Sequence, residues 1–425
     1  MNGEQAVTVT ISALGQQGDG LGMHDGARLI VPQTLPGEVV RGRVQGDTLV
    51  APERLSTAPD RQDPPCPHAG PCGGCAVQHA SDRFVARWKV GLVRAALARH
   101  GVEMAFSRMT VSPAGSRRRA VFTAERARRG KRGGDGVVLG FHARRSTDIV
   151  PVTACAVVHP TIATALPGLA EMAEIGLRAV ARDWRGAARL QITQSDTGLD
   201  LDVSGLPPLP AGPREAAIAL AARLDLARLS WDGDPLLIAR PPILSAGPAQ
   251  IRLPPRAFLQ ATRDGEAALR RAVEQITQNA GRIADLFAGC GTFALPLAVR
   301  ARILAVELDR EALTALEDAW RRAGGLHRLE TMARDLHRQP LSTEALSDFD
   351  AVVLDPPRAG AEAQVRTLAG SRVPRIAAIS CNPESFARDA GILIAGGYRA
   401  GPITLIDQFR WSPHIELVAG FTRSG

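Results

Sequence analysis

Apolar and polar residues alternate with period two in the first part of the chain. Val7-Thr-Val-Thr-Ile11 opens the pattern and residues 28–31, 38–44 and 49–55 continue it, with Gly15, Gly18, Gly20 and Gly22 breaking it into turns. Such alternation marks strands with one buried face, and short strands with glycine turns predict a small barrel of the OB type. Ala-Pro-Asp-Arg-Gln-Asp-Pro-Pro at 58–65 reads as a linker. Over 81–100 the period changes. Phe84, Val85, Trp88, Leu92, Val93, Ala96 and Leu97 recur at helical spacing, with Ser81 or Asp82 as the cap. Trp88 on that stripe is read as core rather than as a base-stacking ring. The middle mixes strands at 120–123, 137–141, 149–152, 188–193 and 199–203 with helices at 161–181 and 214–224. From residue 256 strand and helix alternate. Strands at 283–287, 303–307, 351–354 and 376–380 are interleaved with helices at 265–277, 293–300, 311–323 and 383–396, and strands at 403–406 and 415–421 close the chain. This predicts a doubly wound parallel sheet with an antiparallel edge. The expected architecture is multidomain: an OB-like β-barrel over 1–58, a central α+β unit over 65–255 and an α/β unit over 256–425. The helix at 81–100 is counted with the central unit, its packing on the C-terminal unit being the alternative.

Charge narrows the partners. The 425 residues carry 51 Lys and Arg against 43 Asp and Glu, a net charge of +8 that favours a polyanionic partner. Lysine occurs only as Lys89 and Lys131. The arginine count bears the mark of codon bias, so the excess over acids is the safer signal. The densest basic patch is Arg117-Arg-Arg119 with Arg126, Arg128, Arg129, Lys131 and Arg132, around a Gly-rich turn at 130–136. Phosphate contact and a merely solvated charged hairpin fit it equally. Met1-Asn-Gly-Glu-Gln5 lacks the layout of a signal peptide and no apolar run reaches spanning length. A cytoplasmic protein is expected, with no membrane partner and no obligate protein partner. Its six cysteines are then not expected to form structural disulfides.

Three of them fall within ten residues, in Cys66-Pro-His-Ala-Gly-Pro-Cys72-Gly-Gly-Cys75, and a fourth, Cys155, follows much later. A loop of Cys, Pro and Gly builds no core and needs a metal or cluster to order it. Four thiolates suit zinc or iron–sulfur. Zinc sites usually pair two Cys-x2-Cys knuckles, whereas here there is one, so the spacing favours an iron–sulfur cluster. His68 and His79 are read as loop residues.

The C-terminal unit carries the chemistry. Ile376-Ala-Ala-Ile-Ser-Cys381-Asn-Pro383 ends a strand abruptly and starts a helix. Cys381 is thus presented at a strand tip beside a helix N-terminus, where ligands of open α/β sheets bind and where the helix dipole favours a thiolate. A nucleophile and a small buried apolar Cys are both open at this point. Asp285-Leu-Phe-Ala-Gly289-Cys-Gly291-Thr lacks the dinucleotide and P-loop signatures. With Glu307 and Asp335 at successive strand ends, this turn suits a nucleoside with an amino-acid tail, S-adenosylmethionine. Asp355-Pro-Pro-Arg358, Phe258-Leu-Gln260 and His414-Ile-Glu416 converge on the same sheet edge. Gln260 offers an amide to a base edge. Apolar neighbours of Glu416 favour burial and a raised pKa, as a general base needs. An amino-nitrogen methyltransferase would want an aromatic residue after the two prolines, where Arg358 stands. Cysteine, carboxylate and methyl donor together meet the needs of methylation at carbon 5 of a pyrimidine.

These motifs resemble the family of RNA uridine-C5 methyltransferases over nearly the whole chain and in order. The match comprises the Cys66, Cys72, Cys75 and Cys155 set, Phe-x-Gln260, Asp-Leu-Phe-Ala-Gly-x-Gly, Asp-Pro-Pro-Arg, Ser-Cys-Asn-Pro and His-x-Glu. The Gly-x-x-Gly-Asp-Gly-Leu-Gly run from Gly15, with the Val-Pro-x-x-Leu-Pro-Gly-Glu that follows, resembles the RNA-binding TRAM barrel. The resemblance implies a class I, Rossmann-like methyltransferase domain with Cys381 as nucleophile and Glu416 as base. It places Gln260 and Asp355 near the target uracil and the methyl donor, and Phe287, Gly289, Glu307 and Asp335 around S-adenosylmethionine. It implies a [4Fe–4S] cluster and an RNA substrate, 23S rRNA before tRNA. Two departures stand out: Thr262 where the family usually has Asn, and Arg410-Trp-Ser412 in place of Pro-His-Thr.

Overall fold

A computed structural model of the chain describes residues 6–127, 136–181 and 184–423. Strands β1 (Val7–Leu14), β2 (Gly20–His24), β3 (Ala27–Val31), β4 (Val39–Gln45) and β5 (Thr48–Arg54) close into a barrel in the order β1-β2-β3-β5-β4. The sequence pattern missed β2, because its glycines read as turn residues. A Cβ on Gly20 would lie 2.0 Å from Thr34 Oγ1, and one on Gly22 2.3 Å from Val9 Cγ1. These two glycines let strands approach inside a tight barrel rather than turn the chain. Val9, Ile11, Leu29, Val31, Val40 and Leu49 fill the interior.

Helix α1 (Asp82–Arg99) is capped by Ser81, whose side chain accepts from the Phe84 N–H. Strand β6 (Phe106–Val111) follows. Next come β7 (Arg119–Arg126), β8 (Val137–His142), β9 (Ile149–Pro151), α2 (Pro160–Ala179), β10 (Ala188–Gln194), β11 (Leu199–Ser204), α3 (Ala211–Arg223), β12 (Arg228–Trp231) and β13 (Asp234–Ile238). These seven strands form one sheet in the order β13-β12-β11-β10-β7-β8-β9, covered by α2 and α3. A hairpin, β14 (Ile243–Ala246) and β15 (Ala249–Arg252), leads into the last unit.

That unit contains α4 (Arg263–Ile276), β16 (Arg282–Leu286), α5 (Ala294–Leu297), β17 (Arg302–Glu307), α6 (Arg310–Ala323), β18 (Leu329–Ala333), α7 (Thr343–Leu346) and β19 (Ala351–Leu354). It continues with α8 (Glu362–Gly370), β20 (Arg375–Ser380), α9 (Pro383–Ala395), β21 (Arg399–Ala400), β22 (Ile403–Asp407) and β23 (Glu416–Thr422). The sheet runs β18-β17-β16-β19-β20-β23-β22-β6, with β21 beside β23. It is parallel from β18 to β20, and β23 is antiparallel to both its neighbours. Both faces are covered, as strand alternation requires. Val352 and Leu354 of β19 join the core built with α1, α8 and α9, while Ala351 and Val353 join the one built with α4, α5 and α6.

Two elements of the 65–255 stretch belong to this sheet. Strand β6 pairs in parallel with β22, and α1 packs its Val93 and Leu97 with Phe386 and Leu393 of α9. The same helix sends Val85 and Trp88 into a separate core with Leu35 of the barrel, Val77 after the cysteine loop, and Trp411. Its single apolar stripe thus serves two cores. No helix among the described residues is long and apolar enough to cross a membrane.

Candidate active site and its cysteine pocket

Strand β20 ends at Ser380, and Cys381 lies in the turn before α9. Asn382 caps that helix: its Oδ1 accepts from Glu384 N–H at 3.1 Å, and its Nδ2 donates to the Arg358 carbonyl at 2.9 Å. The Cys381 turn and the Asp355-Pro-Pro-Arg358 turn are thereby tied together. Cys381 is half-buried. Burial pushes its thiol up to about 11, Glu416 and Asp355 act the same way, and Arg358 opposes them. Burial and the two carboxyls thus work against the helix-end activation of a thiolate.

Glu416, the first residue of β23, is buried. Burial, with Asp355 adding to it, raises its carboxyl to about 8, and a hydrogen bond from Gln408 works against the rise. Asp355, one residue past β19, is raised to about 7 by burial. An amide chain joins the two carboxyls. Gln408 Nε2 donates to Glu416 Oε1 (3.2 Å) and Gln260 Oε1 (2.6 Å), and Gln260 Nε2 donates to Asp355 Oδ2 (3.3 Å). Gln408 Oε1 accepts from the main-chain N–H of Thr262 at 3.4 Å, and the Thr262 side chain caps α4. Sequence reading missed Gln408 as a site residue, although it stands in the Asp407-Gln-Phe run. Its partner Gln260 is 148 residues away.

The glycine turn is built for close approach. Phe287 has φ 63° and Gly289 φ 54°, and Phe287 packs against His337 with ring centroids 5.3 Å apart. A Cβ on Gly291 (φ 94°) would meet Leu316 of α6 at 2.9 Å, whereas one on Gly289 would meet nothing within 4 Å. Glu307 Oε2 accepts from Gly289 N–H at 2.9 Å, and its Oε1 accepts from Leu308 (2.6 Å) and Asp309 (3.0 Å). Asp335 Oδ1 accepts from His337 N–H at 3.0 Å. Asp285, at the head of this motif, is fully buried and neither carboxyl oxygen has a hydrogen-bond partner. Burial raises it well above the usual range, and the neighbouring Asp355 and Glu307 add to the rise.

The basic patch is largely spent on structure where it is described. Arg118 is 1% exposed, pairs with Glu266 and donates Nε to the Gln260 carbonyl at 3.0 Å. Arg126 donates to the Val180 and Ala181 carbonyls at the end of α2. Arg117 lies over the Phe409 ring at 5.8 Å and Arg119 over the exposed Phe258 ring at 4.9 Å. Arg128, Arg129, Lys131 and Arg132 lie outside the described residues.

Cys66, Cys72, Cys75 and Cys155 are free thiols lining one cavity of about 650 Å³, together with Arg117, Phe409 and His414. Burial raises Cys72 and pushes Cys75 up to about 12; Cys155 and Cys66 add to both shifts, and Cys72 to that of Cys75. The four are therefore electrostatic neighbours. Among the described residues no group of three or more His, Cys, Asp or Glu closes to the spacing of a single metal ion. His68 is a loop residue whose Nε2 accepts from the Thr153 N–H at 3.1 Å. The cavity also touches Arg410 and Ser412 of the catalytic loop, and Trp411 is buried beneath it.

The large sheet, with the Cys381 turn and a glycine turn at one edge, is a methyltransferase fold. The chain superimposes with a TM-score of 0.73, at 21% identity, on the Pyrococcus abyssi tRNA (uracil-54, C5)-methyltransferase, over 98% of this chain and 100% of that one. Residues 252–423 match the family model described as tRNA (Uracil-5-)-methyltransferase. A Caulobacter vibrioides protein described as an uncharacterized RNA methyltransferase is 42% identical over 98% of this chain and 99% of its own length. The 23S rRNA (uracil(1939)-C(5))-methyltransferase of Edwardsiella ictaluri is 32% identical over 97% and 95%. The chain belongs to the RNA uracil-C5 methyltransferase family.

Proposed function

We propose that this enzyme transfers a methyl group from S-adenosylmethionine to carbon 5 of a uridine, in 23S rRNA before tRNA, through a bond between Cys381 and carbon 6 of the uracil. The observation that carries the reading is the meeting of Cys381 with the raised carboxyls of Glu416 and Asp355 at one sheet edge. Carbon 5 of uracil is a poor nucleophile. Cys381 passes its thiol proton to water, its sulfur bonds to carbon 6, and the electron pair of the carbon 5–carbon 6 double bond gathers at carbon 5. Carbon 5 takes the sulfonium methyl as the sulfur–methyl bond breaks, leaving a neutral thioether. Glu416 removes the carbon 5 proton, the double bond re-forms and the Cys381 sulfur leaves. The target base is out of reach inside a stack and is flipped or unpaired first.

The donor fits the glycine turn. Glu307 keeps acceptor capacity for ribose hydroxyls, since carboxylate oxygens take more than one donor each. Gly289 opens onto free space. Phe287 and Asp335 flank it, and Gln260 and Asp355 orient the uracil and the methyl. A positive sulfonium relieves the crowding of Asp285, Asp355 and Glu307.

The cysteine set fits a [4Fe–4S] cluster. What supports the reading is the donor set: Cys66, Cys72, Cys75 and Cys155 line one cavity and offer four soft thiolates, the kind of ligand such a cluster takes. Bound there, the cluster would supply positive charge to Cys66, Cys72, Cys75 and Cys155 and fasten residue 155 to the 66–75 loop. The barrel suits RNA binding by its TRAM-like pattern, and the rRNA preference draws on the Edwardsiella relative.

The test is incubation of anaerobically purified enzyme with labelled S-adenosylmethionine and unmodified 23S rRNA or tRNA, then digestion and assay for 5-methyluridine. Product from wild type and none from Cys381→Ala is expected. Product from both removes the covalent mechanism. Labelling of tRNA alone reverses the substrate order.

A further inference from the structure

Lys89 is one of two lysines in a chain that otherwise uses arginine for its cations. It lies on α1 and is 0% exposed. Its Nζ donates to Asp407 Oδ1 at 2.6 Å, to the Phe409 carbonyl at 3.2 Å and to the His414 carbonyl at 2.9 Å. An ammonium has three donors, and all three are used. The acceptors stand at the two ends of one loop. Asp407 ends β22, and His414 is two residues before Glu416. Asp407 Oδ1 also accepts from the Phe409 N–H at 3.1 Å. One cation thus closes the base of the loop whose flanks carry Gln408 and Glu416. A planar guanidinium presents its donors in a fixed fork and does not match three oxygens converging on a point. That is a physical reason for lysine here.

We propose that Lys89 is a positioning residue for proton removal, closing the 407–414 loop so that Gln408 and Glu416 face carbon 5 of the bound uracil. The inference rests on the reaction proposed above. It does not touch the nucleophile or the donor turn, which lie on β20, β16 and β17. Lys89 therefore acts directly on the last chemical step, and on the addition of Cys381 and the methyl transfer only at second hand, through the hydrogen bond from Gln408 to Gln260.

The two halves of the reaction separate with RNA carrying 5-fluorouridine at the target. Fluorine on carbon 5 is not removed as a proton is, so the covalent protein–RNA adduct is trapped after methyl transfer whatever the base does. Lys89→Met and Lys89→Arg are compared with wild type on uridine RNA and on 5-fluorouridine RNA. On uridine RNA we expect 5-methyluridine formation to fall about 10- to 100-fold in both variants, as loss of alignment by about an ångström does. A denaturant-resistant adduct should build up during turnover. On 5-fluorouridine RNA the adduct should form within about two-fold of the wild-type rate, which also shows that the variants fold and bind the donor. Asp407→Asn should show the same pattern more weakly. Equal slowing on both RNAs, including loss of both through misfolding, assigns Lys89 to the scaffold alone and overturns the proposal, as does unchanged turnover. Failure of the underlying reading looks different: wild type then makes neither 5-methyluridine nor adduct.

Discussion

Glu416 sets two pH dependences of opposite sense. Proton removal needs the ionised carboxylate, and burial with Asp355 nearby places its titration at about 8. Turnover should therefore rise with pH from 7 to 9, and Glu416→Gln should abolish release of 5-methyluridine while leaving adduct formation. Stability should respond the other way. The folded protein keeps the Glu416 proton up to about pH 8, whereas an unfolded chain gives it up near the ordinary glutamate value. Between those values unfolding releases a proton, so raising the pH favours unfolding. Glutamine carries no such penalty and still offers an oxygen to Gln408. Glu416→Gln should thus melt higher than wild type at pH 9, and the gap should close towards pH 5 in thermal melts at the two pH values. A mutant that is inactive yet more stable marks a residue held in a costly state for chemistry.

At the scale of elements, the two glycines of the donor turn have separate tasks. Gly291→Ala meets Leu316 at 2.9 Å with φ at 94°, which no alanine holds easily. It should push α6 off the turn and cost about 1–3 kcal/mol of stability. Gly289→Ala faces open space at φ 54°. It should cost stability less, about 1 kcal/mol, yet weaken S-adenosylhomocysteine binding, because its methyl occupies the donor side. Thermal melts and titration calorimetry on the pair check the division. No range was predicted for β18 or α8, whereas strands β16, β17, β19 and β20 were legible because each runs into a polar residue read as chemistry, Asp285, Glu307, Asp355 or Cys381. Strand β6 was not, since Phe-Ser-Arg-Met-Thr-Val does not alternate cleanly and pairs on one side only, with β22. Helix α5 is shorter than its apolar run, 294–297 rather than 293–300. The buried Arg118 looked like part of a surface triplet, because its partner Glu266 is 148 residues away. Sequence spacing reports local periods, and it carries no signal for contacts made between units.

Across the whole molecule, the cysteine loop is where the units are fastened together. Its Gly73 N–H donates to the His142 carbonyl of the central sheet at 2.9 Å. Just beyond it, Ala76 and Val77 both donate to the Trp411 carbonyl of the catalytic loop, at 2.7 and 3.1 Å. Trp411 then packs with Leu35 of the barrel and Trp88 of α1. This accounts for the Arg-Trp-Ser departure, since Trp411 anchors the catalytic loop to the cysteine loop at φ 61°. The loop has few apolar side chains of its own, so under the proposed ligation its order depends on the cluster. Cys155→Ser then removes the one distant member of the proposed set. It should lower iron and labile sulfide together and open residues 66–80 to limited proteolysis. Thermal unfolding should become less cooperative as the barrel and the catalytic sheet separate. The catalytic sheet has two full cores of its own and should keep S-adenosylhomocysteine binding within a few-fold. If protease sensitivity stays at the wild-type level while iron is lost, the hydrogen bonds to Trp411 and His142 suffice to order the loop, and the cluster serves something other than the joint between units.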